Sequence, residues 1–459
     1  MTPLLKDQLR SLLGPAGFVT EPDLLERYSS DWSKYQHFRP IAVARPANVA
    51  ELARTLALCN AEKQRIVVQG GLTGLCGGGC PFDGELALST ERMTAIEALD
   101  EHDLTLTAQA GVTLEKVQQA AANAGFEFPL DFGARGTCTV GGFLSTNAGG
   151  NSVIRYGVTR NLVLGVEAVL ADGTIVSGMN RMLKNSTGYD LKQLFIGSEG
   201  TLGVVTRAVL RLFPQQRDVA TAWIGTGSFD GVVRILREAR TQLEGGPSAF
   251  EVMWQDFVAA ALRLLPQVKP PLDRPTPFHV LLEYSNAAGG AAAALERLLE
   301  GAIERGDATD AMVPQSVRET EQLWLIRDAP SEIMPTIRVP LIFDVSMPLE
   351  RMPEYVDAVN AVMNAACPGA PVYYFGHLGD GTLHMLIEGR DPARKDELIG
   401  RILAPLKSIG GAVSAEHGVG LAKKAFISLT RSNIEIDLMR ALKSKLDPNG
   451  ILNRGRVFD

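Results

Sequence analysis

Three of the chain's six histidines fall in two short stretches. The first, VYYFGHLGDGTLHMLIE, reads as two strands around Asp380-Gly381, a strong two-residue hairpin signal. Pairing outward from that turn sets Gly379 opposite Thr382, Leu378 opposite Leu383 and His377 opposite His384. Directly opposed residues share a face with Cβ atoms about 5 Å apart, so two imidazoles placed there can bind one metal ion. The second stretch, GGAVSAEHGVG, offers Glu416 and His417. A lone histidine is usually a satisfied structural residue. A cross-strand pair joined by a Glu-His step in glycine surroundings points instead to a metal or catalytic site. The other histidines earn no such role: His102 lies in a charged turn, His279 at a strand start, and nothing near His37 supports ligand binding.

Two glycine-rich stretches carry a second kind of chemistry. The short strand RIVVQ runs straight into GGLTGLCGGG at 70–79, where exposed backbone N–H groups can cradle a phosphate. No Gly-Lys-Ser/Thr follows, so this is not a P-loop. The helix and the acidic residue of a compact dinucleotide fingerprint are also missing. Alone, the loop is equally well read as a tight turn. The stretch GARGTCTVGGFLSTNAGGNSVIRYG at 133–157 shifts that balance. Ordering so many glycines gives up backbone entropy, and the usual return is close approach of backbone to a large flat or multiply charged ligand. Two such loops between strands suggest a nucleotide with a pyrophosphate and a ring system, which favours FAD over a single phosphate.

These residues must be positioned by an ordinary globular framework. The chain has 459 residues, 46% apolar and 21% charged, with 45 basic and 52 acidic side chains for a net charge of −7. That suffices for a large core, excludes global disorder, and gives no sign of nucleic-acid or acidic-membrane binding. The 46 glycines are clustered rather than periodic, which excludes collagen. The N-terminal MTPLLKDQLRSLLG is amphipathic and broken by charges, unlike a secretory apolar run. The uncharged stretch 136–154 is too polar for a membrane helix. Five scattered cysteines, Cys59, Cys76, Cys80, Cys138 and Cys367, read as reduced thiols in a cytoplasmic compartment, with Cys76 and Cys80 as small side chains in a crowded loop. From Pro46 the pattern alternates helices and strands, with Gly125 as a helix C-cap and Asp172-Gly173 as a hairpin turn. Beyond about 217, longer helices alternate with strands such as HVLLEYS and LIFDVSMP, which suggests a separate α+β domain. The expected division is 1–217, 218–420 and a helical segment 421–459.

The stretches VVQGGLTGLCGG, FPLDFGARGTCTVGGFLSTNAGG, RYGVTRNLVLGVEAVLADG, NSTGYDLKQLFIGSEGTLGVVT, GHLGDGTLH, SAEHGVG and LDPNGILN, in this order, resemble a known family. The chain is similar to FAD-linked oxidoreductases of the vanillyl-alcohol oxidase / p-cresol methylhydroxylase type, nearest the D-2-hydroxyglutarate and D-lactate dehydrogenases, from about Pro46 to Val457. The resemblance implies an α+β fold: a two-part FAD-binding domain, a substrate domain with an antiparallel sheet, and a helical C-terminal segment returning to the flavin. It implies that Gly70, Gly71, Leu72, Thr73 and Gly74 cradle the FAD pyrophosphate. Pro129, Asp131, Gly136, Thr137, Gly141 and Gly142 would line the flavin, with Thr146, Asn147 and Gly149. Gly203 and Val204 would touch the adenine side, and Asn453 would return to the ring. Covalently linked relatives carry His where Thr73 stands, so non-covalent FAD is expected.

The resemblance further implies that His377, His384 and Glu416 hold a divalent metal, zinc first, and that His417 is the base. A 2-hydroxy acid would lose its hydroxyl proton to His417 and its C2 hydride to flavin N5, with the metal gripping substrate beside His377, His384, Glu416 and His417. Relatives acting on 2-hydroxyglutarate hold its two carboxylates with an Arg, a Thr and a Lys. Arg327 matches the Arg, Ser331 stands for the Thr, and Ile342 occupies the Lys position, where it cannot pair a distal carboxylate. Arg338 would compensate if its strand extends that far; otherwise the substrate is shorter or apolar at its far end, such as D-lactate. Thr382 replaces the usual Asn of the hairpin, with little effect expected on metal binding. An electron-transfer flavoprotein or a quinone is the acceptor typical of the family, and a homodimer is plausible for it. Two other readings stay open: a flavin oxidase of the same fold acting on glycolate or another alcohol, and a flavin electron-transfer subunit.

Overall fold

The computed structural model describes residues 1–458 and divides into two compact units. The first contains 1–150, 156–215 and 416–459; the second contains 151–155 and 216–415. The chain thus passes back to the first unit between Ala415 and Glu416, and the last forty residues belong there.

The first unit has two main sheets. One is built from β1 (Phe18–Val19), β2 (Val43–Ala44), β3 (Ile66–Gln69) and β4 (Leu86–Ser89), in the order β1-β2-β4-β3. β3 and β4 pair in parallel, and the C-terminal segment adds a parallel bridge from Leu452 to Ile66. The helix Pro3–Gly17 packs here through Leu5, Leu9 and Leu13, spaced by four so that they share one face. Each such burial contributes about 1.5–3 kcal/mol. The helix Val49–Ala61 buries Leu52, Leu56 and Cys59 against the same core, and Asn48 caps its N-terminus by accepting from Glu51 N. The second sheet has β5 (Ile96–Asp100), β6 (Thr105–Gln109), β8 (Val163–Val169), β9 (Ile175–Gly178) and β10 (Val204–Arg211), ordered β5-β6-β10-β8-β9. β8 is buried along its whole length, which is why it reads as a near-continuous apolar run. β7 (Phe126–Glu127) and β11 (Phe213–Pro214) form a small ribbon. Gly125 takes φ +80° just past the helix Leu114–Asn123, and Gly173 takes φ +89° in the β8–β9 connection, as their spacing suggests.

The second unit is one seven-stranded sheet with helices packed on it. Its strands are β12 (Asp218–Thr226), β13 (Ala249–Trp254), β14 (Phe278–Asn286), β15 (Asp310–Met312), β16 (Pro340–Ser346), β17 (Val372–His377) and β18 (Thr382–Glu388). They run in the order β15-β12-β14-β13-β17-β18-β16, with every adjacent pair antiparallel. Met253, Phe375 and Leu386 share a buried cluster with the helices Gln255–Leu264 and Val317–Arg327. Among the described residues, no helix is long and apolar enough to cross a membrane.

Candidate active site

Within the first unit the two glycine stretches meet. β3 ends at Gln69, and Gly70 and Gly71 lie directly against the second stretch. A Cβ on Gly71 would sit 2.1 Å from the Thr137 carbonyl oxygen; one on Gly70 would sit 2.6 Å from Thr139 Oγ1. Only glycine permits that approach of backbone to backbone. Leu72 follows at φ +57°, and Asn147, Glu199 and Asn453 also adopt left-handed φ, a conformation non-glycine residues keep only where surroundings enforce it. Asn147 terminates the short helix Val140–Thr146, and its Oδ1 accepts from Arg160 N at 2.9 Å. Gly141 N donates to Ala110 O at 2.8 Å. Thr146 Oγ1 donates to Gly142 O at 3.3 Å, and Gly149 is buried.

The remaining residues of this set serve in different ways. Asp131 passes its backbone against Gly150, while its carboxylate lies 3.2 Å from Arg135. Pro129 is partly buried, and Gly136 and Thr137 are exposed. Thr73 and Gly74 are partly buried in the first loop, where Gly74 O accepts from Ser33 N and Leu72 O from Trp32 N. Gly203 packs under Phe195, and Val204 is 1% exposed in the core, paired with Val169 on β8. Asn453 ties three segments together: its Oδ1 accepts from Val68 N at 2.8 Å and its Nδ2 donates to Glu199 O at 2.6 Å. The cradle suits a ligand carrying polar groups. Among the described residues, Thr139 Oγ1 and Gln69 Oε1 are buried there with no hydrogen-bond partner, and Thr139 stands at a helix N-cap without making the usual cap bond.

Glu199 is a contributor that the motif reading missed. Its carboxylate accepts from Val419 N at 2.7 Å and Gly420 N at 2.8 Å, which pins the segment carrying His417. Burial raises its pKa against the lowering effect of those two N–H groups. Gly418, at φ +77°, leaves no room for a side chain above that carboxylate: a Cβ would lie 2.9 Å from it. The only sequence signal was an acidic residue between glycines in GSEGTLG.

In the second unit the histidines stand on one sheet face, by a register that differs from the expected one. His384 pairs with Phe375, not with His377. The turn is not a two-residue hairpin: Leu378–Asp380 forms a 3₁₀ turn closed by Gly381 at φ +82°. The register therefore slips by two residues. Because side-chain direction repeats every two residues, the slip keeps both histidines on the same face as diagonal neighbours. Their ring centroids lie 5.1 Å apart at 86°. His377 and His384 are 5% and 8% exposed. The strand-like segment before Glu416 is fixed to β16: Ala412 bridges Ser346, and Ala415 N donates to Asp344 O at 3.1 Å. Among the described residues, His377, His384 and Glu416 form a group able to hold a metal ion, with one ligand atom from each within 4.8 Å of the others. Two imidazole nitrogens and a carboxylate are a donor set that zinc accepts. His417 is partly buried in the segment held by Glu199.

The expected substrate-binding residues are split. Arg327 ends its helix with its side chain 13% exposed, and its Nη2 lies 3.1 Å from His377 Nε2. Its Nε donates to Glu251 Oε2 at 2.9 Å, while Glu251 Oε1 accepts from His377 Nδ1 at 2.7 Å. Burial alone would raise the Glu251 carboxyl, but the charges and hydrogen bonds of His377 and Arg327 outweigh it and hold the pKa below its ordinary value. Ile342 lies on β16 opposite Leu386, two residues before Asp344, which pairs with His384; it is 42% exposed and on the histidine face. Ser331 is exposed and donates to Asp328 O at 3.3 Å. β16 begins only at Pro340, so Arg338 is not on the strand; its side chain is 90% exposed and 4.0 Å from Glu388. Arg338 therefore does not share the strand face of Ile342. Thr382 is buried at the start of β18.

The other histidines have structural or surface settings. His279 is buried; its Nδ1 accepts from Trp223 Nε1 at 3.0 Å, and its Nε2 meets Gln255 Oε1 at 2.7 Å. Burial depresses its pKa to about 4. His37 pairs with Glu26 on the surface, and His102 is exposed. All five cysteines are buried and, among the described residues, none forms a disulfide; burial pushes Cys59 and Cys138 up to about 12.

Residues 40–178 match the family described as FAD binding domain, and residues 215–457 match FAD linked oxidases, C-terminal domain. A D-2-hydroxyglutarate dehydrogenase of Stutzerimonas stutzeri (strain A1501) is 34% identical over 463 residues, covering 99% of both chains. Another, from Xanthomonas citri pv. viticola, is 37% identical over 449 residues, covering 96% of this chain and 94% of that one. The solved structure of p-cresol methylhydroxylase with substrate bound superposes with a TM-score of 0.79 at 16% identity, covering 99% of this chain and 96% of that chain, which shows the shared fold. The chain thus belongs to the FAD-linked oxidoreductases of the p-cresol methylhydroxylase fold, in the family of the D-2-hydroxyglutarate dehydrogenases.

Proposed function

We propose that this dehydrogenase oxidises a D-2-hydroxy acid to the 2-oxo acid, with D-2-hydroxyglutarate and D-lactate as the first substrates, using non-covalent FAD and a divalent metal. The observation that carries the reading is the set His377, His384 and Glu416 with the Arg327 guanidinium beside His377. Such a set suits an acid whose carboxylate and neighbouring hydroxyl must be gripped together. The relatives named for D-2-hydroxyglutarate support the substrate class.

His377, His384 and Glu416 would hold the metal, which when bound lowers the hydroxyl pKa and fixes the substrate. FAD, when bound in the glycine cradle, supplies the two-electron sink for the C2 hydrogen and its electron pair. Arg327 orients the C1 carboxylate, to which a guanidinium can offer two parallel N–H groups. His417 takes the hydroxyl proton, since neutral imidazole is a base matched to neutral pH. Ile342 offers no charge to a distal carboxylate, and its partial exposure lets such a group remain in water. The buried cysteines, none of them in a disulfide among the described residues, fit a reducing, cytoplasmic setting. Regeneration then needs an acceptor such as an electron-transfer flavoprotein or a quinone.

Anaerobic bleaching of the bound flavin by a panel of D- and L-2-hydroxy acids, with and without zinc, tests this reading. Fast bleaching by one D-acid, enhanced by zinc, is the expected result. Bleaching by none, with flavin and zinc both bound, would shift the assignment to another alcohol or to an electron carrier.

A further inference from the structure

Glu251 is a buried carboxylate for which the motifs gave no role. It lies at the middle of β13, 1% exposed, and its register partner on β17 is His377. A carboxylate this deep in a sheet is costly unless its oxygens are matched, and here they have different partners: Oε1 meets His377 Nδ1 at 2.7 Å, and Oε2 meets Arg327 Nε at 2.9 Å. An ionised carboxylate can only accept, so Nδ1 of His377 carries the donated proton. In the neutral ring the remaining lone pair is then on Nε2, the atom that Arg327 Nη2 meets. On the arginine, the bond to Nε fixes the plane of the guanidinium and sets Nη2 3.1 Å from that same Nε2.

We propose that Glu251 is a positioning residue that orients His377 as a metal ligand and Arg327 as a carboxylate clamp with a single side chain. The inference rests on the metal reading above. An ion pair serving stability alone would need only the arginine. The second oxygen, given to an imidazole of the candidate metal group, is the arrangement that fixes a histidine's tautomer and raises its ligand strength. One carboxylate thereby couples the metal position to the position of the substrate carboxylate.

The test is zinc affinity of the FAD-loaded protein, stripped of metal and titrated with zinc alone against a chromogenic chelator. Wild-type protein is expected to bind one zinc per chain. Glu251→Gln is expected to weaken that binding about 10- to 100-fold, with flavin absorbance unchanged. Glu251→Asp, which keeps the charge and loses one methylene of reach, should fall between the two. Cobalt(II) spectra should shift in Glu251→Gln, reporting an altered ligand geometry that a purely structural carboxylate would leave alone. Wild-type zinc affinity in both variants would overturn the role of Glu251 while leaving the metal site standing. If Glu251→Gln does not fold, Glu251→Asp decides: unchanged affinity overturns the proposal, and weakened affinity supports it. A wild-type protein with no saturable zinc site would remove the metal reading and this inference together.

Discussion

In the first unit, Gly71 lies where a Cβ would reach within 2.1 Å of the Thr137 carbonyl, and the candidate cofactor site is mostly backbone. In the second unit, the candidate site is side chain: His377 and His384 from β17 and β18, Glu251 from β13 and Arg327 from a helix end. A backbone cradle depends on the absence of atoms, so it fails when atoms are added and tolerates loss of a polar group. A side-chain site depends on particular donors, so it fails when they are removed and its scaffold survives. The difference shows why the cradle was legible from local spacing, whereas the register and partners of the histidines required the sheet.

The sharpest test of this contrast is Gly71→Val. The new side chain would displace the Thr137 backbone, and the purified protein is expected to lose its flavin absorbance, while Thr73→Ala keeps it. Retained flavin in Gly71→Val would break the comparison. His417→Ala should act in the opposite way, leaving FAD bound while lowering the rate of flavin reduction by substrate about 10²- to 10⁴-fold. Near-normal reduction would remove His417 as the base.

A third prediction concerns a histidine of the same sheet that performs no chemistry. His279 has its folded pKa depressed to about 4 from an ordinary 6.5. Between those values the unfolded chain binds the proton and the folded one does not. Stability is therefore full above about pH 6.5 and declines as pH falls toward 4, by about 3 kcal/mol at most. Thermal melts from pH 7 to 4 should show a smaller acid loss in His279→Gln than in the parent. Equal slopes would mean that other groups govern the acid limb. The smallest effect is expected at Ile342→Lys, where partial exposure screens any new pair. The gain in kcat/KM on D-2-hydroxyglutarate relative to D-lactate should be about 5-fold or less, since an exposed ion pair contributes about 1 kcal/mol. A gain of 100-fold would mean that the position is desolvated when substrate binds.

The helices Val49–Ala61 and Leu114–Asn123, the strand β3 and the glycine loops were readable because their signals are local: apolar spacing, caps and side-chain-free backbone. The histidine face was readable too, although the hairpin register was not. The Asp380-Gly381 step suggested a two-residue turn, but the chain spends Leu378–Asp380 on a 3₁₀ turn and shifts the pairing by two. Side-chain parity survived that error because strands repeat every two residues.

The sequence by itself pointed to the residue types of the candidate site and to the glycine backbone proposed to cradle the cofactor, because those constraints act over a few neighbouring residues. Only the tertiary structure decided their partners. Glu251 and His377 lie 126 positions apart and become neighbours solely because β13 pairs with β17. The one local hint was a charge inside the apolar strand AFEVMW, where burial is costly and a partner must exist. Arg338 shows the reverse case: its spacing from Ile342 suited a strand face, but β16 starts two residues later, and the side chain points into solvent. Strand ends and long-range pairings are set by competition among many weak contacts, which no short window of sequence contains.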